Sequence, residues 1–348
     1  MTAQVDVPAQ QDPRPNKPAS PAGGSERWRS LVGRAGQWWT LGVLVILVAV
    51  FGILNPAFIS QQAWLATAEY AVVFVILGTG QTFVILTAGI DLSVGAVLGA
   101  SAMAGAVVMR AAAPSGDVFA VVAGILASLF AGAAIGLLNG LLITRLRLPP
   151  FIVTLATLTA FGSGVSYLLN NGNPIAALPE ALGPIGGTVL LGWISIPVLI
   201  AAVVATVSAL VLAKTRFGLR TYAMGSNETA VSRAGIRVRR HLVRVYVISG
   251  LLASIAGFIL TARFATADPV AGTGDELYAI ASAVIGGASL FGGRGTIAGT
   301  VVGALTISVL TTGLVLLGIQ PFWQPVAIGL VLVTSVAVDQ ARSRISQS

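Results

Sequence analysis

Apolar residues fill this chain in blocks of about twenty, separated by short polar or Gly- and Pro-bearing stretches, and the blocks carry almost no charge. A helix needs about 20 apolar residues to cross the hydrocarbon core of a bilayer. Cutting the chain at charges, turn residues and polar clusters predicts ten helical spans. They fall near residues 38–55, 68–88, 93–111, 118–143, 150–169, 188–213, 244–264, 277–291, 296–317 and 322–340, the eighth being short. The pattern predicts an all-α, polytopic membrane protein with its spans in residues 38–341. Residues 1–37, polar and rich in Pro, Gln, Ser and Ala, read as a disordered cytoplasmic tail without a signal-peptide core. Residues 214–243 read as a charged cytoplasmic loop and 342–348 as a short cytoplasmic tail.

Composition supports this picture: 55% of the 348 residues are hydrophobic and 9% are charged, against about 25% charged in a soluble domain. With a cytoplasmic N-terminus, ten spans put 18 of the 20 Lys and Arg residues on the cytoplasmic side and leave Arg110 and Arg263 outside. The net charge of +8 is therefore a topology signal, and the expected partner is the lipid bilayer rather than nucleic acid.

Glycines recur four residues apart: Gly132, Gly136 and Gly140; Gly95 and Gly99; Gly295, Gly299 and Gly303. That spacing lines one helical face, where missing side chains let backbones approach, so close helix packing is the expected role.

Three segments carry candidate chemistry. GLRTYAMGSNETAVSRAGIRVRR, in the cytoplasmic loop, has the grammar of a short isolated helix. Ser226 or Asn227 can cap its start, Glu228 suits the positive end of the dipole, and Gly235 can supply the left-handed residue at its end. Such a short rod does not fold alone and needs a docking partner. In GQTFVILTAGIDLSVGAVLGASAMAG, Gly89 can end one helix, and Asp91 or Ser93 can cap the next. Capping and a place in a translocation path account for Asp91 equally. Gln81 and Asn139, polar groups inside spans, either line a path or tie helices together. In ELYAIASAVIGGASLFGGRGTIAGTVVGAL, glycines permit a broken helix and Arg294 marks the cytoplasmic end.

Several classes are excluded. Cysteine is absent and His241 is the single histidine, so no disulfide frame, thiolate nucleophile or Cys/His zinc site can be built. There is no GxxxxGK[ST] loop for ATP, no GxSxG and no HExxH. The chain is read as no enzyme, with no cofactor or metal of its own. An ion-coupled secondary transporter would bury ionisable relays in its spans, whereas most acidic residues here fall at span ends or in loops.

Over about residues 40–340 the chain resembles the permease subunits of the ribose/monosaccharide class of bacterial ABC importers, which are related to branched-chain amino acid permeases. The resemblance rests on GIDLSVG (Gly89 to Gly95), PPFIVTLATL (Pro149 to Leu158), GLRTYAMGSNETAVSRAGI (Gly218 to Ile236) and VIGGASLFGGRGT (Val284 to Thr296). It implies a sugar or polyol permease of the cytoplasmic membrane that pairs with a second permease copy or a paralogue. ABC ATPase subunits would use ATP and Mg, and an extracytoplasmic sugar-binding protein would deliver substrate. It further implies that the helix at Ser226 to Ala234 is the coupling helix resting on the ATPase. On the same resemblance, Gly225, Ser226, Asn227, Glu228, Ala230 and Gly235 would be its coupling residues. Gln81, Asp91, Ser93 and Asn139 stand as candidates for the path.

Overall fold

The computed structural model describes residues 40–320, 322–331 and 333–334. The two predicted tails, and parts of the first and tenth predicted spans, lie outside the described residues. Within them the regular structure is helical except for one hairpin of two-residue strands, β1 (Val189–Leu190) and β2 (Ile194–Ser195), and the elements are joined by turns and loops.

The helices follow in chain order: α1 (Thr40–Leu54), α2 (Gln61–Leu86), α3 (Val94–Ala112), α4 (Asp117–Arg145), α5 (Pro150–Thr159), α6 (Ser166–Asn170), α7 (Gly183–Gly187), α8 (Ile196–Lys214), α9 (Arg216–Ser226), α10 (Glu228–Arg233), α11 (Val238–Phe264), α12 (Asp275–Ile285), α13 (Ile297–Leu316) and α14 (residues 323–331). A π-helical stretch, Ala160–Val165, joins α5 to α6 into one rod. Start signals are local. Ser60 Oγ accepts from Ala63 N at the head of α2 (3.2 Å), Thr296 Oγ1 accepts from Gly299 N at the head of α13 (3.0 Å), and Pro150 opens α5.

Seven of the described segments are long and apolar enough to cross a membrane: α2, α3, α4, the α5–α6 rod, α8, α11 and α13. Among the described residues, two predicted spans fall short of the length a bilayer needs. α1 is an apolar helix of Thr40–Leu54, and α12 has 11 residues, about 16 Å at 1.5 Å per residue. α12 is short because the chain folds back before it. The Gly272 carbonyl lies directly against Gly95 near the head of α3, so residues 265–274 return into the bundle and α12 starts from inside it. The span predicted from residue 188 also begins late. Leu191 and Gly192 adopt positive φ (52° and 74°) and turn the chain into the β1–β2 hairpin, and Pro197 then sits in the first turn of α8. α11 instead begins early, at Val238, carrying Arg239 and Arg240 on helix rather than loop.

α2 lies at the centre and is apolar on all sides, with 89% of its spanning window buried. α11, α12 and α13 pack against it, α3 lies on α4 and α11, and α4, the α5–α6 rod and α8 form the periphery, the rod being only 20% buried. Glycine sets the tightest contacts. A side chain on Gly132 would overlap the Gly250 carbonyl of α11, one on Gly136 the Tyr246 carbonyl, and one on Gly140 would press on the Val243 Cα. The α4 ladder is thus the α4–α11 contact, as its spacing predicts. Gly299 and Gly303 of α13 meet the carbonyls of Gly286 and Ser282 in the same way. The second set differs from a simple ladder, Gly95 and Gly99 receiving the 269–272 loop rather than a helix, and in the third set Gly295 lies in a turn with φ of 149°.

Because the α4–α11 contact has no room for a side chain, Gly136→Leu is expected to lower thermal stability by about 3 kcal/mol or more, read from unfolding of the purified protein. Gly329→Leu in α14, where nothing lies within 4 Å of a new Cβ, is expected to leave it unchanged.

Candidate functional site

The first group of candidate residues stands at the arginine-bearing end of the bundle. α10 forms where its caps predict. Of the two candidate caps it is Asn227 that acts, its Oδ1 accepting from Ala230 N (2.9 Å), while Ser226 closes α9 and donates its hydroxyl to the Tyr222 carbonyl (3.0 Å). At the other end Gly235 takes φ of 77°. Gly235 N then donates to Ser232 O (3.0 Å) and Ile236 N to Val231 O (3.3 Å), the paired bonds of a Schellman stop. Val231 alone of the six residues is buried; Glu228, Thr229, Ala230, Ser232 and Arg233 are exposed. The short helix thus roots one apolar side chain and presents the rest.

Behind it, α9 is bolted to three other elements. Gly225 packs so closely that a Cβ would collide with the Leu86 carbonyl at the end of α2 and with Gly292 and Gly293. Gly293 N donates to that same Leu86 carbonyl (3.0 Å), and Tyr222 Oη donates to Gly295 O (2.8 Å). Burial pushes the Tyr222 hydroxyl above its usual pKa range, which keeps it a donor. Thr221 Oγ1 lies 2.9 Å from His241 Nε2 of α11, and the Phe217 ring packs on that imidazole with centroids 4.4 Å apart. His241 therefore fastens α9 to α11. The structure separates the six coupling candidates accordingly: Ser226, Asn227, Glu228, Ala230 and Gly235 face outward, and Gly225 is a seat against the chain's own backbone.

The second group, spread over 59 residues of sequence, comes together in one buried network. Asp91 Oδ1 accepts from the Ser93 N–H (2.9 Å) and the Ser93 hydroxyl (2.6 Å), and Oδ2 accepts from Ser249 Oγ of α11 (2.9 Å). Asn139 of α4 donates through Nδ2 to Ser93 Oγ (2.9 Å) and accepts at Oδ1 from Thr157 Oγ1 of α5 (2.5 Å). The Gln81 amide, oriented to match, donates to the Asp91 carbonyl (3.1 Å) and accepts from the Asp91 N–H (3.2 Å). All six residues are buried. Ser93 occupies the N-cap position of α3 without a capping side-chain bond, so neither candidate caps that helix in the expected way. The residue that turns the chain out of α2 is Ala88, at φ of 59°, not Gly89. Gly89 is small for a different reason, lying under the Tyr246 hydroxyl, which a Cβ would meet.

Ser249 and Thr157 are members of this network that the sequence does not announce. A hydroxyl in a span usually satisfies itself on the carbonyl one turn back, and Thr157 makes that bond too, to Val153 O (3.0 Å). The Gly80 contact with Ser249 across α2 and α11 brings the hydroxyl into reach of Asp91, and that closeness is tertiary.

Arg110 and Arg263, the two arginines placed outside by the charge count, sit at the end away from α10. Arg263 pairs with Glu69 of α2 (2.6 Å), and Arg110 reaches Asn170 (3.5 Å). Nearby, Ile175 bridges Ala267 and Asp117 Oδ2 accepts from Glu180 N (3.2 Å).

Comparison with known proteins agrees with this architecture. Residues 64–336 match the family described as branched-chain amino acid transport system, permease component. The ribose import permease protein RbsC of Bacillus subtilis (strain 168) is 42% identical over 86% of this chain and 91% of its own length. The D-allose transport system permease protein AlsC of Escherichia coli (strain K12) is 37% identical over 88% of this chain and 93% of its own. The fructose import permease protein FrcC of Rhizobium meliloti is 37% identical over 86% and 83% respectively. No solved structure gives a significant match. With seven bilayer-length helices and relatives aligned over nearly their full lengths, the chain is a multi-pass protein of the cytoplasmic membrane and belongs to this family of transport-system permease components.

Proposed function

We propose that this chain is the membrane-spanning subunit of an ABC importer and carries a monosaccharide or similar polyol inward, driven by a separate ATPase subunit that docks on α10. The sugar follows from three relatives whose names specify ribose, allose and fructose. In this reading α1, α12 and α14 complete ten membrane segments between cytoplasmic termini, a second copy or paralogue closes the path, and an extracytoplasmic binding protein supplies the sugar. ATP and Mg belong to the partner.

The observation that carries the proposal is the construction of α10. A six-residue helix with a side-chain cap at one end, a Schellman stop at the other and one buried anchor is too short to persist without tertiary support. Its specified ends make it a rigid knob. Movement of the knob passes to α9, and from α9 through Gly225, Tyr222 and His241 to α2, the 292–295 turn and α11. These are contacts between whole elements, suited to rigid-body transfer rather than local bending.

For Gln81, Asp91, Ser93 and Asn139 we infer that the role is to tie helices. They spend their hydrogen bonds on one another and on Ser249 and Thr157, joining α2, α4, α5 and α11 around the turn that opens α3. None presents a free group to a passing hydroxyl in this conformation.

Glu228→Arg reverses the charge at the head of α10. Uptake is expected to fall at least about tenfold with membrane insertion intact; normal uptake in cells carrying this variant would remove α10 from the coupling interface. Asn139→Leu is expected to lower the unfolding free energy by about 1 to 3 kcal/mol while leaving the KM for sugar close to wild type. A raised KM with unchanged thermal stability would instead put Asn139 on the path.

A further inference from the structure

Six arginines converge on two adjoining cavities at the α10 end, and among the described residues no carboxylate pairs with them. The first cavity, of about 340 Å³, lies between the ends of α4 and α11; Arg145, Arg239, Arg240 and Arg244 line it together with the aliphatic Leu141 and Val243. The second, of about 380 Å³, is lined by Arg220 of α9, by Arg237, and again by Arg240 and Arg244, with the backbone turn at Gly235 and Ile236. Among the described residues the one ion pair within 4 Å, Arg263 with Glu69, is at the opposite end of the molecule. The positive-inside tendency accounts for basic residues on this side of the membrane. It does not require them to share cavity walls without counter-charges, an arrangement whose mutual repulsion an anion relieves.

We propose that these cavities seat the phosphate-bearing headgroup of an anionic phospholipid from the cytoplasmic leaflet. The lining selects lipid over an acidic protein surface. Guanidinium groups in the first cavity stand beside Leu141 and Val243, and the neighbouring part of α4 leaves Leu137 and Leu138 exposed, with Leu146 exposed just beyond its end. The occupant must therefore be anionic at one end and hydrocarbon along its flank, at the level where spanning helices leave the bilayer. Basic pockets between such helices on the cytoplasmic side are suited to that chemistry. Arg240 and Arg244 belong to both cavities, so they hold the phosphate, while Arg145 and Arg220 close the site from α4 and α9. A headgroup bound there braces the link between α10 and α11. The site stands on its own geometry and does not depend on the coupling role of α10.

The test uses the purified full-length chain in detergent and native mass spectrometry with phosphatidylglycerol, with phosphatidylcholine of the same acyl chains, and with inorganic phosphate. Phosphatidylglycerol is expected to be retained in preference to phosphatidylcholine and not to be displaced by millimolar phosphate. At about a fivefold loss per arginine, the Arg240→Gln/Arg244→Gln double variant is expected to bind phosphatidylglycerol about 25-fold more weakly. Arg147→Gln, at the same end but outside both cavities, is expected to bind as the parent does. Equal retention of the two lipids by the unmodified chain would overturn the proposal without any variant having to fold. So would displacement by phosphate, which would mark a free-anion site. Unchanged lipid binding by the double variant, accompanied by lost association with an ATPase subunit, would reassign the cavities to protein docking.

Discussion

Hydrocarbon offers a hydrogen-bond donor nothing, so each polar group that this chain buries must find its partner inside the bundle. The turn between α2 and α3 is where that demand is heaviest, because a helix ends and another begins among packed neighbours. Asp91 meets it by taking three donors at its carboxylate, and Gln81 by covering the backbone amide and carbonyl of the same residue. The irregular backbone is tolerated because four helices contribute to sealing it. Everything near it, from the start of α3 to the attachment of α5 through Thr157, inherits its position from that satisfied knot.

Close backbone approach is the complementary constraint. Where lipid tails are as apolar as leucine, helices gain by packing more tightly than lipid can. The α4–α11 and α12–α13 contacts do so with glycine against a carbonyl, and the re-entering 269–272 loop does so against Gly95 and Gly99. The result is an ordered gradient: α2 enclosed, α3 and α11 partly so, and the α5–α6 rod, interrupted by its π-helical stretch, left at the rim.

What the sequence discloses follows the range of the interactions. α10 is legible to within a residue or two, since its cap, narrowed to Ser226 or Asn227, and its stop at Gly235 act within one short helix. The α4 glycine ladder was legible because a four-residue period marks a face whatever packs on it. The hairpin before α8 was half-visible: Gly192 and Pro197 are turn and start signals, but the apolar run around them reads as membrane. The apolar run of α12 is visibly short in the sequence, but the cause of that shortness and the union of Gln81, Asp91, Ser93 and Asn139 are not legible, since both depend on chain segments far apart in sequence, the loop at Gly272 and the hydroxyls of Ser249 and Thr157. Gly225 shows the same limit. The family pattern marks it beside the exposed residues of α10, while the structure turns it inward.

The seat of Gly225 against Leu86 and the paired glycines at 292 and 293 leaves no clearance between α9 and what lies behind it. A mechanical joint without clearance has no backlash: a displacement at the outer knob cannot be absorbed as slack and must reappear across the joint. In the proposed coupling through α10, stiffness at this one small residue therefore sets how faithfully an external stroke becomes motion within the membrane.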